Sequence, residues 1–470
     1  MAEAPGERMR AAVDGGARAA AVRILVRTEA GAYAAPLLER ALEGLERREE
    51  RALCTELVYG ALRWQGELDY ALGRLARRSL SRLPAPVRAA LRLGAYQLLH
   101  LERVPAHAAV SSAVELVRAH GQGALTGFAN GVLRRLAREG PPEPPDDPVA
   151  ALAVRYSHPV WLVRRWLEQY GEERAVRLLA YDQTPAPVTV RVRPTVGRDA
   201  LGERWRAAGV ACEPTRISPH GLRLRRGQAV SALPGYGEGV FVVQDEGAMA
   251  AVEWLGARPG ERVVDACAGR GTKTLGLLDA VGGEGGVLAV DVHAGKLRAL
   301  LREARRRGHA VRRLDGADLD GEAPAGLAVA AVDGRRLGEI GAARGAQRVL
   351  LDAPCTGLGV LRRRPELRWR RRPDDALPLA ALQTSLLWAA CEAVAVGGEV
   401  LYVTCTTDPR ENEEVVAAVL ARRGDVEALP VLPEGEAPPG AEVGPGGSVR
   451  LFGPDSGTDG FFFARLVRRR

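Results

Sequence analysis

Two cysteines stand where covalent chemistry would need them. Cys355, in LLDAPCTGLG (350–359), lies three residues past Asp352, directly behind an apolar run, and Cys405 ends a second such run, EVLYVTCTTDP from 399. A free cysteine is most often a small buried hydrophobe, and that reading suffices for Cys54, Cys212 and Cys391. Two thiols closing two strand-like runs, one of them beside a carboxylate, point to a nucleophile with an acid or base at hand. Methylation of a pyrimidine at C5 uses such a set. That carbon is a poor nucleophile until a thiolate adds to C6. A carboxyl group must then manage the proton at N3, and a second base or relay must take the C5 proton before the thiol is eliminated. Spacing alone does not say which thiol attacks.

A glycine-rich turn, DACAGRGTKTLG (265–276), sits between a strand-like and a helical segment. Such a turn lets the backbone approach a ligand closely, with helix N–H groups pointing at it. The residues that would line it are Cys267, Ala268, Gly269, Arg270, Gly271, Thr272 and Lys273. Neither GxxxxGK[ST] nor GxGxxG is present, which disfavours ATP and dinucleotides. Asp291, ending the next strand-like run, is placed to accept hydrogen bonds from ribose hydroxyls. Asp333, in AVDGRR, is a candidate for the base end of the ligand, although an Asp-Gly pair also reads as a plain turn. A nucleoside ligand without phosphates, such as S-adenosylmethionine, fits these parts best.

These groups need elements to hold them. From about 236 onward, apolar runs (RVVDACAG, GVLAVDV, QRVLLDAPC, EVLYVTC) alternate with helical stretches (KTLGLLDAV, KLRALLREARRRG, ALQTSLLWAACEAV). That pattern predicts an α/β Rossmann-like domain over 236–470, a parallel sheet with helices on both faces. Ligands of such sheets bind beyond the carboxyl ends of the strands, where Asp265, Asp291, Asp352 and Cys405 all fall. Residues 425–458, rich in proline and glycine, read as a long loop before a closing strand, GFFFARLV. Residues 1–140 read as an all-α bundle, with apolar residues at three- and four-residue spacing from 17 to 138. PPEPPDDP (141–148) is a stiff linker. Between lie connecting helices and a small α+β (RRM-like) domain, 148–235, with VTVRVRP and HGLRLRR as short strands. His158, in SHP, reads as a local structural residue.

Composition bounds the rest. A chain of 470 residues holds about three domains. It is 46% hydrophobic and 26% charged, as soluble globular proteins are, and no stretch reaches the roughly 18 apolar residues of a membrane helix. The first residues, MAEAPGERMRAAVDGG, lack the apolar core of a secretory leader, so the expected location is cytoplasmic. Six cysteines without a CxxC pair argue against structural zinc, and no metal is expected. The net charge of +8 favours a polyanionic partner.

Three segments carry a resemblance. DACAGRGTKT, LLDAPCTGLGVLRRRPELRW and LYVTCTTDPRENEEVV resemble the motifs of the RNA cytosine-5 methyltransferases, usually DxCAAPGGKT, DAPCSGxGxxRRxP and YxTCSxxPxENE. The resemblance implies that Cys405, in TC, is the nucleophile, and that Cys355, in DAPC, assists product release. Asp352 would contact the cytosine and lie near the methyl donor. Cys267 to Lys273, Asp291 and Asp333 would line the S-adenosylmethionine pocket. Having both PC and TC implies an RNA substrate and not DNA. The turn departs from the pattern, with Arg270 for a proline and Thr272 for a glycine. VPAHAAVSSAVELVRAHGQGALTGFANGVLRR resembles the NusB-like RNA-binding domain, and YSHPVWLVRRW, TVRVRP and TDGFFFARL resemble the connecting and closing segments of the small-subunit rRNA branch (Fmu or Sun type). That combination implies small-subunit rRNA as substrate, with tRNA or another rRNA site as the alternative within the class. A non-catalytic RNA-binding factor is the alternative outside it. A monomer without membrane partners is expected.

LRRRPELRWRRRP (361–373) holds seven arginines. Such a run is usually a solvated charged segment. Its place directly behind the catalytic loop makes Arg362, Arg363, Arg364, Arg368, Trp369 and Arg370 candidates for RNA contact.

Overall fold

The computed structural model describes residues 16–77, 79–225, 229–322 and 324–470. Residues 1–15, read above for a secretory leader, lie outside the described residues. By packing, the chain divides into two units. One runs to Pro185 and includes 361–373; the other joins 186–360 to 374–470.

The first unit is helical. Helices α1 (Ala17–Glu29), α2 (Ala34–Glu43), α3 (Arg48–Arg63), α4 (Gln65–Ala76), α5 (Ala85–His100), α6 (Ala106–Ala119) and α7 (Thr126–Glu139) share one core. Leu57, Leu68, Leu72, Leu91 and Leu133 are fully buried in it, as amphipathic helices with one apolar stripe require. After the linker, Asp147 accepts a hydrogen bond from Ala150 N (2.7 Å) and caps α8 (Pro148–Arg155). Helix α9 (Val160–Asp182) is interrupted at Gly171. Both helices pack with the bundle. His158 is fully buried, against Asp182 (3.3 Å) and the Trp166 ring, and burial pushes its pKa down to about 4.

The second unit opens with a four-stranded antiparallel sheet of order β2-β3-β1-β4, from β1 (Thr189–Val192), β2 (Cys212–Pro214), β3 (Gly221–Leu224) and β4 (Phe241–Val243). Helix α10 (Arg198–Ala207) covers it, with Trp205 edge-on to Phe241. Helix α11 (Glu246–Leu255) leads into a ten-stranded sheet. Its parallel part runs β7 (Val311–Leu314), β8 (Gly326–Ala330), β6 (Gly286–Val290), β5 (Arg262–Ala266), β9 (Ala346–Asp352), β10 (Val394–Thr404). β14 (Phe461–Arg468) joins β10 antiparallel; β13 (Val449–Leu451) and β11 (Val426–Leu429) pair with β14, and β12 (Ala441–Val443) with β13. Successive residues feed opposite faces: Val264 and Leu288 enter one core, Val263 and Val287 the other. Helices α12 (Thr272–Val281), α13 (Ala294–Arg306), α14 (Ala376–Ala393) and α15 (Glu413–Leu420) complete the layers. Arg191 on β1 (3.0 Å) and Arg307 beyond α13 (2.9 Å) both bond Asp279 on α12, which ties the small sheet to the helix of the glycine-rich turn.

The chain leaves β5 for β6 on one side and returns to β9 on the other. That reversal opens a crevice beyond the carboxyl ends of β5 and β9. The stretch 425–458, expected as loop, contains β11, β12 and β13. They are three or four residues long, too short to show alternation in sequence. Among the described residues no helix is long and apolar enough to cross a membrane.

Candidate active site

β9 and β10 run parallel with Asp352 opposite Val403, so the loops leaving them start side by side. The two thiols meet there: Cys355 Sγ and Cys405 Sγ are 3.3 Å apart, and neither is in a disulfide. Their hydrogen bond, then burial, then the charges of Cys405 and Glu411 hold the Cys355 thiol well above its ordinary pKa. The loop after Cys355 must pass close to Cys405, and glycine permits it. Gly359 N donates to Cys405 O (2.9 Å), and a Cβ at Gly359 would lie 2.2 Å from Gly460 O.

Asp352, the last residue of β9, accepts a 2.6 Å hydrogen bond from Lys273 Nζ. Lys273 stands in the first turn of α12 beside the Phe461 ring (5.9 Å). Burial works against its charge, but the Asp352 carboxylate outweighs it, with Cys405 and Asp265 adding to the pull, and its pKa is raised. Asp265, in β5, is fully buried and accepts from the Thr274 hydroxyl. Burial pushes it up to about 7, with nearby Asp352 and Asp291 adding to the rise.

The glycine-rich turn is pinned to the end of β6, where Ala268 N donates to Val290 O (2.9 Å). Cys267 (φ 63), Gly269 (φ 60) and Gly271 (φ 82) are left-handed, which costs a cysteine about 1 kcal/mol or more and is typical of functional turns. Asp291, just beyond β6, accepts from Gly269 N (2.9 Å) and His293 N (2.8 Å). Each carboxylate oxygen keeps a lone pair, so a ribose hydroxyl can still be bound. Gly271 packs flush on Leu300, 2.2 Å from where a Cβ would sit, and Asp265 Oδ1 is a buried acceptor without a partner at the root of the turn. The crevice therefore suits a nucleoside-type ligand. Arg270 and Thr272, which replace the usual proline and glycine, are exposed. Asp333 lies beyond β8 on the same edge, but its carboxylate caps its own turn, accepting from Arg335 N (3.0 Å) and the Arg335 guanidinium (2.6 Å). Among the described residues no group of three or more His, Cys, Asp or Glu side chains is arranged to hold a metal.

Two residues in the third motif had no role on sequence grounds. Glu411, fully buried, accepts from Thr356 N (2.8 Å), Thr356 Oγ1, Thr406 Oγ1 (3.0 Å) and Gln383 Nε2 (3.0 Å). Asn412 receives the Thr404 hydroxyl and donates to Thr406 O (3.1 Å). The signal was PRENE itself; its partners, Thr356 and Gln383, lie too far away in sequence to suggest the pairing.

The arginine segment divides. Within the helical unit, Arg368 is fully buried and donates to the carbonyls of Arg63 (3.0 Å), Ser157 (3.3 Å) and Asp182 (2.6 Å). Burial, against the Asp182 charge, pushes its pKa down to about 10. Arg370 closes the end of α1 through the carbonyls of Thr28 (2.8 Å), Gly31 (3.1 Å) and Ala32. Trp369 packs on Gly66, and Arg362 lies over the Tyr181 ring (4.3 Å) while donating to Pro185 O (2.8 Å). Arg368 is thus corrected from RNA contact to structure, because it is fully buried and both its terminal nitrogens are spent on carbonyls. Arg363 is half-buried; Arg364 is exposed.

A doubly wound sheet whose switch-point crevice is faced by a glycine-rich turn, an acidic strand end and paired thiols is the architecture of a methyltransferase. Residues 252–467 match the 16S rRNA methyltransferase RsmB/F family, 16–138 the NusB family, and 158–231 the ferredoxin-like domain of RsmF/B-like methyltransferases. The chain is 32% identical to the probable ribosomal RNA small subunit methyltransferase B of Bacillus subtilis, over 96% of this chain and 98% of that protein. It is 35% identical to the ribosomal RNA small subunit methyltransferase B of Pseudomonas syringae pv. tomato, over 91% of each. The solved structure of PH0851 superposes with a TM-score of 0.81 at 23% identity, covering 96% of this chain and 98% of that one. The chain belongs to the ribosomal RNA small subunit methyltransferase B family.

Proposed function

We propose that the protein methylates C5 of a cytosine in small-subunit rRNA, with S-adenosylmethionine as methyl donor. The observation that carries this reading is the Cys355–Cys405 pair, 3.3 Å apart beside the Lys273–Asp352 ion pair at the carboxyl ends of β9 and β10. A methyl transfer to oxygen or nitrogen has no need of two thiols; C5 of a pyrimidine needs a sulfur at C6.

S-adenosylmethionine, when bound, supplies an electrophilic methyl group on a sulfonium. The turn 267–273 and Asp291 would hold it, Asp291 at the ribose hydroxyls and Asp333 at the adenine end. Cys405 adds its sulfur to C6 of the cytosine, which loads electron density onto C5. As the sulfur adds, the Cys405 thiol proton passes to N3 by way of the Asp352 carboxylate, which Lys273 orients. After C5 has been methylated its proton passes to water, the C5–C6 double bond re-forms, and the Cys405 sulfur leaves as a thiolate while the proton at N3 returns to Asp352. Cys355, whose thiol is held protonated, stands beside that sulfur to assist its departure. The target base must be unstacked to reach the crevice, and the exposed Arg364 is suited to an RNA phosphate. We take the protein to act as a cytoplasmic monomer on RNA and not on DNA.

The test is methyl transfer from labelled S-adenosylmethionine to small-subunit rRNA, free and in particles, with the modified base identified by nucleoside mass spectrometry. Label in 5-methylcytidine supports the reading. Label in any other nucleoside, or in tRNA alone, refutes it, and binding without transfer leaves an RNA-binding factor.

A further inference from the structure

Glu411 takes part in no step above, yet it is bound to both loops that carry the thiols. Its carboxylate accepts from the backbone N–H next to Cys355 (Thr356 N, 2.8 Å) and from the hydroxyl next to Cys405 (Thr406 Oγ1, 3.0 Å). Thr356 Oγ1 adds a third bond, and Gln383 a fourth, its Nε2 also reaching Pro354 O (2.8 Å). The Tyr402 hydroxyl, on β10, donates to Glu411 O (2.6 Å). Burial raises the pKa of Glu411, and the hydrogen bonds from Thr356, Gln383 and Thr406 oppose that rise, so a carboxyl group with its oxygens committed to both loops stands behind Cys355. On the other side of the pair stands the Lys273 ammonium, for which Cys405 is one of the supporting negative groups.

We propose that Glu411 is a positioning residue that divides the labour between the two cysteines: it ties their loops together and sets its carboxyl group against Cys355, which disfavours that sulfur as the attacking group and leaves attack on the base to Cys405. The inference rests on the two-thiol reading of the reaction. The ionisable groups facing Cys355 include Cys405, Glu411 and the Tyr402 hydroxyl. The hydrogen bond to Cys405, burial and the Cys405 charge are the larger causes of the raised Cys355 pKa, and a negative charge on Glu411 adds to them. A neutral side chain of the same shape would lift the opposition and leave much of the hydrogen bonding in place. The two sulfurs would then compete for one proton on more equal terms.

The experiment is alkylation of the full chain by iodoacetamide from neutral to alkaline pH, each cysteine followed by peptide mass spectrometry. In the unaltered protein Cys405 reacts before Cys355, and Cys355 reacts only in alkali. In Glu411→Gln the Cys355 profile moves to lower pH by about one unit, a tenfold rise in its rate at fixed pH. Turnover falls in that variant while KM for RNA is unchanged. Glu411→Asp keeps the charge and the original Cys355 profile. A Cys355 that reacts before Cys405 in the unaltered chain overturns the proposal, as does a Cys355 profile that Glu411→Gln does not move. Should that variant fail to fold, the order of reaction in the unaltered protein still decides. Absence of methyl transfer by the unaltered protein would sink the methyltransferase reading and leave the alkylation profiles interpretable.

Discussion

A single methyl group at residue 271 probes the glycine-rich turn directly. Gly271 has φ +82, and a Cβ there would lie 2.2 Å from Leu300 Cδ1, 2.7 Å from Cγ and 2.8 Å from Cδ2. Rotating the end of the leucine cannot relieve a clash that includes Cγ, so helix α13 or the turn must move. Gly269 is the natural comparison: its φ is +60, but the nearest atom to a Cβ is Cys267 O at 3.9 Å. Gly269→Ala carries only the left-handed strain, about 1 kcal/mol. Gly271→Ala carries that strain plus overpacking of about 1–3 kcal/mol, on the order of 3 kcal/mol in total. At about 2–4 °C per kcal/mol for a unit of this size, Gly271→Ala lowers the melting temperature of the second unit by roughly 10 °C, and Gly269→Ala by a few degrees. Calorimetry of both variants reads this, and titration with S-adenosylmethionine reads the accompanying loss of binding in Gly271→Ala. Equal melting temperatures for the two variants would refute the packing argument.

Other expectations concern the helical unit. Arg368→Met leaves three buried carbonyls without their donor and destabilises that unit by about 3 kcal/mol, read by denaturant unfolding; Arg364→Ala changes stability by less than about 0.5 kcal/mol and lowers the salt dependence of RNA binding by about one counterion. His158 has its folded pKa lowered from 6.5 to about 4, so the unfolded chain binds the proton first as pH falls. The unit is therefore stable above the unfolded value and loses about 3 kcal/mol as pH drops from 6.5 towards 4. His158→Gln flattens that part of the pH–stability curve.

Much of this architecture was legible because the central strands are buried on both faces. RVVDA, GVLAV and QRVLLD read as continuous apolar runs, and once they were strands, their ends fixed where Asp265, Asp291, Asp352 and Cys405 must lie. β7 was not legible, since VRRL exposes both arginines at the edge of the sheet. Neither was the fate of Arg368 and Arg370, since an arginine that meets phosphate and one that meets buried carbonyls look alike in sequence. The packing of 361–373 with the helical unit, hundreds of residues from its partners in α1, left no local trace. Glu411 illustrates the same limit at the site: PRENE marks a motif, but only folding brings it to Thr356.

The most direct test of the account is a covalent-adduct assay on denaturing gels. It uses small-subunit rRNA fragments, labelled S-adenosylmethionine and three proteins: unaltered, Cys405→Ala and Cys355→Ala. The account predicts an RNA adduct that disappears in Cys405→Ala and accumulates in Cys355→Ala, whose product is not released. An adduct that survives Cys405→Ala and vanishes in Cys355→Ala would contradict it, making Cys355 the nucleophile.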